Sequence, residues 1–209
     1  MPSVAAILGV PRRIDEPDVV ALTFDDGPHP EGTPRVMEAL RDAGATATFF
    51  LSGEQVERSS SLAAEIASEG HAIALHGYRH RVQLRQTPHE VGDDLDRGLA
   101  ALEEATGIRP ATYRPPLGIF SFPGLRAVRR RGLDPLLWSR WAHDWRAGRA
   151  PAAIAAEVTE GLTEGDVLLL HDADHYSAHD CWRGTVAALP AVLETVAASG
   201  LHPGRLPSA

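Results

Sequence analysis

Two aspartates, Asp25 and Asp26, stand side by side directly after an apolar run, in the sequence ALTFDDGP (21–28). Adjacent carboxylates repel one another, and neither has an obvious partner among its neighbours in the chain. Two histidines four residues apart, His76 and His80, follow another apolar run, in HGYRH. A helical turn would direct both imidazoles to the same side. With one carboxylate they would make a three-ligand site for a divalent cation, with positions left open for water and substrate.

A divalent cation also accounts for the aspartate pair, because its positive charge relieves the repulsion between the two carboxylates. One aspartate would bind the metal, and the other would accept a proton from the water that the metal activates. Arg114, in the segment YRPPLG, could keep that second carboxylate ionised and oriented. His171, at the end of a further apolar run, is then left to donate a proton to a leaving group. The residues therefore predict metal-assisted hydrolysis.

Short apolar runs that alternate with helix-like segments indicate the scaffold that positions these residues. Strands are predicted over 19–24, 46–52, 72–76, 112–116, 135–140, 166–171 and 201–206. Helices are predicted over 33–44, 54–70, 87–107, 123–132, 151–162 and 184–200. Several strands are continuously apolar, which is typical of parallel strands covered on both faces. Because 209 residues are few for an eight-fold barrel, we predict an incomplete β/α barrel in a single domain over 1–209.

The polar residues named above follow the ends of different strands, as does Asp144 in WSRWAHDW. In parallel α/β folds the carboxyl ends of the strands open onto one face, where active sites lie. Each motif also has a purely structural interpretation, since histidines four apart often lie on a helix surface and Asp-Asp-Gly-Pro is a good turn sequence. The convergence of five segments on one rim favours the functional interpretation.

Composition and charge exclude other classes of function. The net charge is −8 and the basic residues are scattered, which argues against nucleic-acid binding. No apolar run approaches the ~20 residues of a membrane span. The single cysteine, Cys181, allows no intrachain disulfide and is expected to be a packed residue rather than a nucleophile. The apolar stretch VAAILGV (4–10) lacks a preceding basic residue, so a cytoplasmic location is expected unless a leader was removed. The sequence gives no indication of the oligomeric state.

The ordered set of motifs resembles the polysaccharide deacetylases of carbohydrate esterase family 4, the NodB-homology domain. The five matching motifs are TFDDGP (23–28), HGYRH (76–80), RPPLG (114–118), WAHDW (141–145) and LLLHD (168–172). The resemblance extends from residue 19 to about residue 200. It implies a distorted (β/α)7 barrel and a metal-dependent hydrolase that removes N-acetyl groups, in some members O-acetyl groups, from a sugar. The implied partner is an N-acetylated carbohydrate.

The same resemblance implies roles for individual residues. The implied ligands of one divalent metal ion are Asp26, His76 and His80. The ion is Zn2+ by preference, with Co2+, Ni2+ and Mn2+ as alternatives. Asp25 would be the general base, and Arg114 would pair with it. The backbone N–H of Leu117 would help to stabilise the oxyanion, and His171 would protonate the departing amine. Asp144 is retained from the fourth motif.

Three positions depart from the pattern of the family. Gly77 replaces a hydroxyl residue that would brace the histidine loop, so that loop is either looser or braced by another group. Leu117 replaces an aromatic residue, which changes a wall of the sugar site. Trp141 replaces the aspartate that pairs with the acid histidine, a role that Asp144 cannot be assumed to take over. We expect a carboxylate of the following loop, 172–182, to replace it. The candidates are Asp172, Asp174 and Asp180.

Other interpretations remain open from the sequence. Most residues of the 172–182 loop are expected on a polar surface, with substrate binding as the alternative. Two histidines and a carboxylate also form the facial triad of non-haem iron oxygenases, although the strand–helix alternation speaks against their usual antiparallel scaffolds. A deacetylase fold that binds sugar without turnover is kept open by Trp141. A deacylase of a small metabolite is a further alternative, because no motif identifies the substrate.

Overall fold

The computed structural model describes residues 8–207, in which parallel strands alternate with helices. The strands are β1 (Val19–Asp25), β2 (Thr48–Leu51), β3 (Ala72–Leu75), β4 (Thr112–Tyr113), β5 (Asp134–Pro135), β6 (Arg140–Trp141), β7 (Val167–His171) and β8 (His202–Gly204). The α-helices are α1 (Gly32–Asp42), α2 (Gly53–Arg58), α3 (Ser60–Ser68), α4 (Pro88–Thr106), α5 (Phe122–Arg130), α6 (Pro151–Val158) and α7 (Cys181–Ala198). Short 3-10 turns cover Gln83–Arg85 and Pro116–Gly118.

The strands form one parallel sheet in the order β5-β4-β3-β2-β1-β7-β6, and β8 pairs with the first residues of β1. The sheet curls, and its end strands β5 and β6 are not paired with each other. The predicted distorted, incomplete β/α barrel is therefore confirmed. No helix within 8–207 combines the length and the apolar character that crossing a bilayer requires. The first residues of the apolar stretch 4–10 lie outside the described part of the chain.

Two predicted elements differ from the structure. The helix predicted over 54–70 is divided at Ser59, whose backbone leaves the helical region at φ −141° and ψ 51°. The strand predicted over 135–140 is divided into β5 and β6, because β5 pairs with β4 whereas β6 pairs with β7 at the other edge of the sheet. The residues between them cross the open side of the barrel. The described residues therefore contain eight strands where the sequence predicted seven.

The alternation of side chains along β1 explains why a carboxylate faces the barrel interior. Val20, Leu22 and Phe24 are buried in the large core between the sheet and the helices. Ala21 belongs instead to a smaller cluster inside the barrel. Because successive residues of a strand point to opposite faces, Asp25 shares the inner face with Ala21. The same alternation on β7 directs His171 to the interior with Val167.

Helix α4 supports the rim of the barrel and has well-defined ends. The Thr87 side chain accepts a hydrogen bond from the backbone of Glu90, and the Glu90 side chain accepts one from the Thr87 backbone. The two hydrogen bonds together form a capping box. The helix stops at Gly107, which adopts the left-handed conformation at φ 69°. The middle of α4 contacts the loop that follows β3 through the side chain of Asp94.

Candidate active site

Asp25 and Arg114 form a buried ion pair at the rim of the barrel. Asp25 is the last residue of β1, in register with His171 at the end of β7. The guanidinium of Arg114 is fully buried, and its Nη1 donates to Asp25 Oδ1 at 2.7 Å and to Thr23 Oγ1 at 2.8 Å. It lies 3.9 Å from the ring centroid of Phe50. The pairing that the sequence predicted is present, and it holds one oxygen of Asp25 while Oδ2 remains for another partner.

Asp26, the next residue, lies against the two histidines of HGYRH. Its backbone adopts φ 81°, a conformation uncommon for a residue with a side chain. Asp26 Oδ1 is 3.4 Å from His76 Nε2 and 3.5 Å from His80 Nε2. This oxygen is buried and makes no hydrogen bond within the described residues. A buried carboxylate oxygen without a hydrogen-bond partner, facing two imidazole nitrogens, indicates that a further positively charged group belongs there.

The donor atoms fit a divalent cation. Ligand atoms that lie about 2.0–2.1 Å from a tetrahedral ion are separated from one another by roughly 3.3–3.4 Å. The distances from Asp26 Oδ1 to the two Nε2 atoms are close to this separation. His76 Nδ1 donates to the carbonyl oxygen of Arg114 at 2.9 Å, which leaves a lone pair on Nε2 for a metal. Burial acts to raise the pKa of Asp26, but the neighbouring imidazoles, first that of His76, outweigh it and lower the pKa to about 2. Burial lowers the pKa of His80, which favours the neutral form that binds metals.

His171, at the end of β7, is paired with Asp144. The imidazole Nδ1 donates to Asp144 Oδ1 at 3.0 Å, and the backbone N–H of His171 donates to Asp144 Oδ2 at 2.7 Å. The hydroxyl of Thr185 donates to the same Oδ2 at 2.9 Å. Burial acts to lower the pKa of His171, but the carboxylate of Asp144, followed by Asp26 and Asp25, raises it to about 10. His171 is therefore an imidazolium at neutral pH.

One cavity of about 190 Å³ is lined by Asp25, Asp26, His76, His80 and His171. Leu117 lines the cavity from the turn after β4, in a left-handed conformation at φ 59°, and the residue is 58% exposed. Trp138, Trp145 and Tyr176 form aromatic walls. The volume is below the roughly 300–1,000 Å³ that encloses a drug-sized ligand. The cavity therefore has room for the reacting end of a substrate, and the remainder would lie outside.

A family model described as polysaccharide deacetylase matches residues 12–136. The chain belongs to this family. It is 34% identical over 212 residues to a chitooligosaccharide deacetylase of Azorhizobium caulinodans, over 97% of this chain and 100% of that protein. It is 32% identical over 184 residues to a peptidoglycan-N-acetylglucosamine deacetylase of Bacillus cereus, over 87% of this chain and 83% of that one.

A solved structure agrees with the sequence matches. The crystal structure of a peptidoglycan N-acetylglucosamine deacetylase superposes with a TM-score of 0.89 at 27% identity, over 99% of this chain and 96% of that chain. The predicted resemblance to the polysaccharide deacetylases, and with it the assignment to an enzyme of the deacetylase class, is confirmed.

The departure at Trp141 does not leave the acid histidine without a carboxylate. We expected a carboxylate of the 172–182 loop to pair with His171, and that prediction is wrong, because Asp144 is the partner. Position 141 pairs with Leu169 of β7, two residues before His171. The chain then passes through His143 at φ 52°, and Asp144 comes level with the imidazole. The Trp141 side chain is 39% exposed and donates from Nε1 to His143 Nε2 at 3.3 Å.

The three aspartates of the loop have other partners. Asp172 is buried below Gly27, where it accepts a hydrogen bond from the Thr33 hydroxyl, and burial raises its pKa to about 7. Asp174 pairs with His29 at 3.2 Å and accepts the backbone N–H of Asp180 at 2.7 Å. Asp180 pairs with an arginine of α7. Within 8–207 none of the three forms a hydrogen bond or ion pair with the His171 ring.

The departure at Gly77 leaves the histidine loop braced by another group. The loop is not a helical turn, since Gly77 has φ 87°. Asp94, in the middle of α4, accepts the backbone N–H groups of Tyr78 at 2.8 Å and Arg79 at 3.0 Å. A Cβ atom at Gly77 would lie 2.9 Å from Asp94 Oδ2. The glycine and the aspartate are therefore complementary, and the carboxylate supplies the brace that a hydroxyl supplies in the family pattern.

Two supporting residues were not predicted from the sequence. Asp94 and Thr185 lie on helices, far along the chain from the loops that they hold, and no local pattern marks either one. The loop after His171 was expected to be mostly surface, yet Tyr176 lines the cavity. Cys181 is buried, and burial raises the pKa of its thiol to about 12. This agrees with the predicted packing role, since such a thiol is not a nucleophile at neutral pH.

Proposed function

We propose that this chain is a metal-dependent deacetylase that removes N-acetyl groups from an N-acetylated amino sugar within a glycan. The observation that carries the proposal is the buried, unpartnered oxygen of Asp26 between two imidazole nitrogens, flanked by a paired base and a paired acid. The similar proteins described above are named for peptidoglycan N-acetylglucosamine and for chitooligosaccharides. Both names describe N-acetylated glucosamine, which supports the same substrate class for this chain.

Asp26 Oδ1 and the Nε2 atoms of His76 and His80 would hold the cation. Two imidazoles and one carboxylate favour Zn2+, Co2+, Ni2+ or Mn2+ over Mg2+ or Ca2+, which prefer oxygen ligands. When bound, a divalent cation supplies polarisation of the acetyl carbonyl and lowers the pKa of a water molecule. Asp25, held by Arg114, is left out of the ligand set and is free to exchange a proton.

The residues of the chain then divide the proton transfers. Asp25 accepts a proton from a water molecule while the oxygen of that water bonds to the acetyl carbon. Arg114 keeps the Asp25 carboxylate oriented for this step. The backbone N–H of Leu117 donates to the carbonyl oxygen as negative charge develops there. The carbon–nitrogen bond breaks as the His171 imidazolium gives its proton to the nitrogen, and the products are acetate and a free amine. The Asp144 carboxylate keeps that proton on His171 at neutral pH.

The aromatic walls support a sugar as the substrate. Trp138, Trp145 and Tyr176 surround the polar end of the cavity with flat apolar faces, which suit the C–H faces of a pyranose ring. Gly118 is required beside Trp138, because a Cβ atom at that glycine would lie only 2.5 Å from the indole. Because the volume is only about 190 Å³, we expect the cavity to take up the acetamido end of one sugar, with the glycan neighbours at the exposed rim, where Leu117 lies.

Acetate release tests the proposal directly. The purified protein is incubated with N-acetylglucosamine oligomers, with peptidoglycan fragments and with acetylated xylan as the O-acetyl substrate, before and after chelation and with Zn2+ restored. We expect acetate from the N-acetylated glycans, its loss on chelation, and its return with Zn2+. A folded, Zn2+-loaded protein that binds these glycans but releases no acetate from any of them would contradict turnover and favour the binding module. The cytoplasmic location stays a prediction, which cell fractionation can check.

A further inference from the structure

The two histidines of the proposed metal site are held in different ways. The ring of His76 is fixed by its second nitrogen, because Nδ1 donates to the carbonyl oxygen of Arg114 at 2.9 Å. Such a second hydrogen bond is the usual device that orients a metal-binding imidazole. For His80, the contact with Asp26 is the sole polar contact of the ring within residues 8–207. Another interaction must therefore set the orientation of the His80 imidazole.

Tyr176 provides a flat surface against that ring. The phenol and the imidazole are stacked, with ring centroids 4.3 Å apart and planes inclined by 11°. The far end of the phenol is itself fixed, since its hydroxyl donates to Glu54 Oε1 at 2.6 Å and accepts from Gln55 Nε2 at 3.0 Å. The tyrosine is thus held at its hydroxyl while its face covers His80.

Helix α2 holds both partners of the stacked pair. Its first residues donate backbone hydrogen bonds to the histidine loop, from Gly53 N to Gly77 O and from Glu54 N to Tyr78 O, both at 2.9 Å. The side chain of Glu54 binds the Tyr176 hydroxyl. The loop that carries His80 and the ring that covers it are therefore both hydrogen-bonded to the first three residues of α2, and Glu54 bonds to each of them. These shared contacts restrict the separation between the loop and the ring.

We propose that Tyr176 is a positioning residue for His80, which restricts rotation of the imidazole and keeps Nε2 directed at Asp26 Oδ1. The inference rests on the proposed metal site and adds a residue outside the ligand set. Stacking replaces for His80 the hydrogen bond that Arg114 provides for His76. Loss of the ring should allow the imidazole to turn away, which weakens metal binding without removing any ligand.

Metal affinity tests this role with three variants of the full chain. Tyr176→Leu removes the flat ring, and Tyr176→Phe keeps the ring but removes its hydroxyl. The matched control is Tyr78→Phe, which deletes another phenol–carboxylate hydrogen bond, to Glu57 at 2.8 Å, without touching a ligand ring. Zn2+ dissociation constants are measured by competition with a chromophoric chelator, and the Co2+-loaded proteins are compared by visible absorption. Circular dichroism establishes that each variant is folded.

We expect Tyr176→Leu to bind Zn2+ about tenfold more weakly, the lower end of the loss seen when partners of metal ligands are removed. The visible spectrum of Co2+-loaded Tyr176→Leu should also change. Tyr176→Phe should retain most of the Zn2+ affinity, and Tyr78→Phe should retain all of it. A Tyr176→Leu variant that binds within about twofold of wild type with an unchanged spectrum would overturn the inference, even if its KM for glycan rises. If Tyr176→Leu does not fold, the two phenylalanine variants provide the test. Equal losses of Zn2+ affinity in Tyr176→Phe and Tyr78→Phe would then overturn the inference. A wild-type protein that binds no metal would instead reject the proposed function.

Discussion

Replacing Asp144 by asparagine tests the acid side of the proposed mechanism. The Asp144 carboxylate is the first of the influences that raise the pKa of His171 to about 10 from an ordinary value of 6.5. Asp26 and Asp25 also raise it, but a bound divalent cation would offset their charge. With Asp144→Asn, burial acts largely unopposed, so the pKa of His171 falls near or below 6.5. An imidazole with that pKa is protonated to about one part in ten at about pH 7.5.

The expected result is a loss of activity that depends on pH. At about pH 7.5 the variant should lose at least roughly tenfold in kcat/KM, because most molecules lack the proton for the leaving amine. The basic limb of the pH profile should move towards acid, because the pKa of His171 falls when the Asp144 carboxylate is removed. Imidazole NMR of the Zn2+-loaded proteins should show His171 titrating at a lower pH in Asp144→Asn than in wild type, because the first of the carboxylates that raise its pKa is removed. A basic limb at the same pH in wild type and variant would refute the role of Asp144.

Stability should change with a definite sign. The pKa of His171 is raised in the folded state, so the stabilisation from the pair is full below about pH 6.5 and is lost as the pH rises through about 10. Removal of one partner of a buried pair typically costs about 3–5 kcal/mol. The difference in unfolding free energy between wild type and Asp144→Asn should therefore be largest at acidic pH and narrow above pH 9. Thr185→Val is the matched control, since it removes a hydrogen bond to Asp144 and leaves the charge; its basic limb should move much less.

Further variants test the other assignments. Asp25→Asn should keep its metal, measured by elemental analysis, and lose roughly two to four orders of magnitude in rate, the scale of general acid–base catalysis; near-wild-type activity would exclude it as the base. His80→Ala should lower metal content in a folded protein, and equal stoichiometry with wild type would reject the ligand assignment. Gly77→Ser should lower the melting temperature, because its Cβ atom would lie 2.9 Å from Asp94 Oδ2 at a φ of 87°; an unchanged melting temperature would show that the loop adapts. Trp141→Asp should leave the basic limb of the pH profile where it is in wild type, and a rise of that limb would show that position 141 reaches the acid histidine.

The fold and the composition of the site follow from patterns that are local in the chain. Continuous apolar strands, each followed by polar residues, require a parallel sheet, and parallel strands bring their carboxyl ends to one rim. The clustering of Asp25, His76, Arg114 and His171 is a consequence of that geometry. The division of the strand over 135–140 was not predictable, because both halves have the same local character and differ only in the edge of the sheet that each one joins.

The supports of the site depend on contacts between distant parts of the chain. Asp94 reaches the histidine loop from one helix, and Glu54 reaches Tyr176 across 122 residues of sequence. A carboxylate on a helix has no sequence pattern that distinguishes a brace from a solvated charge. The sequence shows that Gly77 removes the hydroxyl that braces the histidine loop in the family pattern. It does not show that Asp94 replaces this brace, because that depends on how α4 packs against the loop.

The error at the acid histidine has a physical explanation in the path of the backbone. A sequence motif is matched by position along the chain, and Trp141 occupies the position of the family aspartate. The sequence therefore indicated that His171 lacked its carboxylate partner. In the sheet, position 141 lies beside Leu169, and the chain needs three more residues, with His143 in a left-handed conformation, to come level with His171. Asp144 then accepts both the imidazole and the backbone N–H of that histidine. The Nδ1–H and the backbone N–H of His171 therefore each have a carboxylate oxygen of Asp144 as acceptor. For this reason Trp141→Asp should leave the pKa of His171 unchanged.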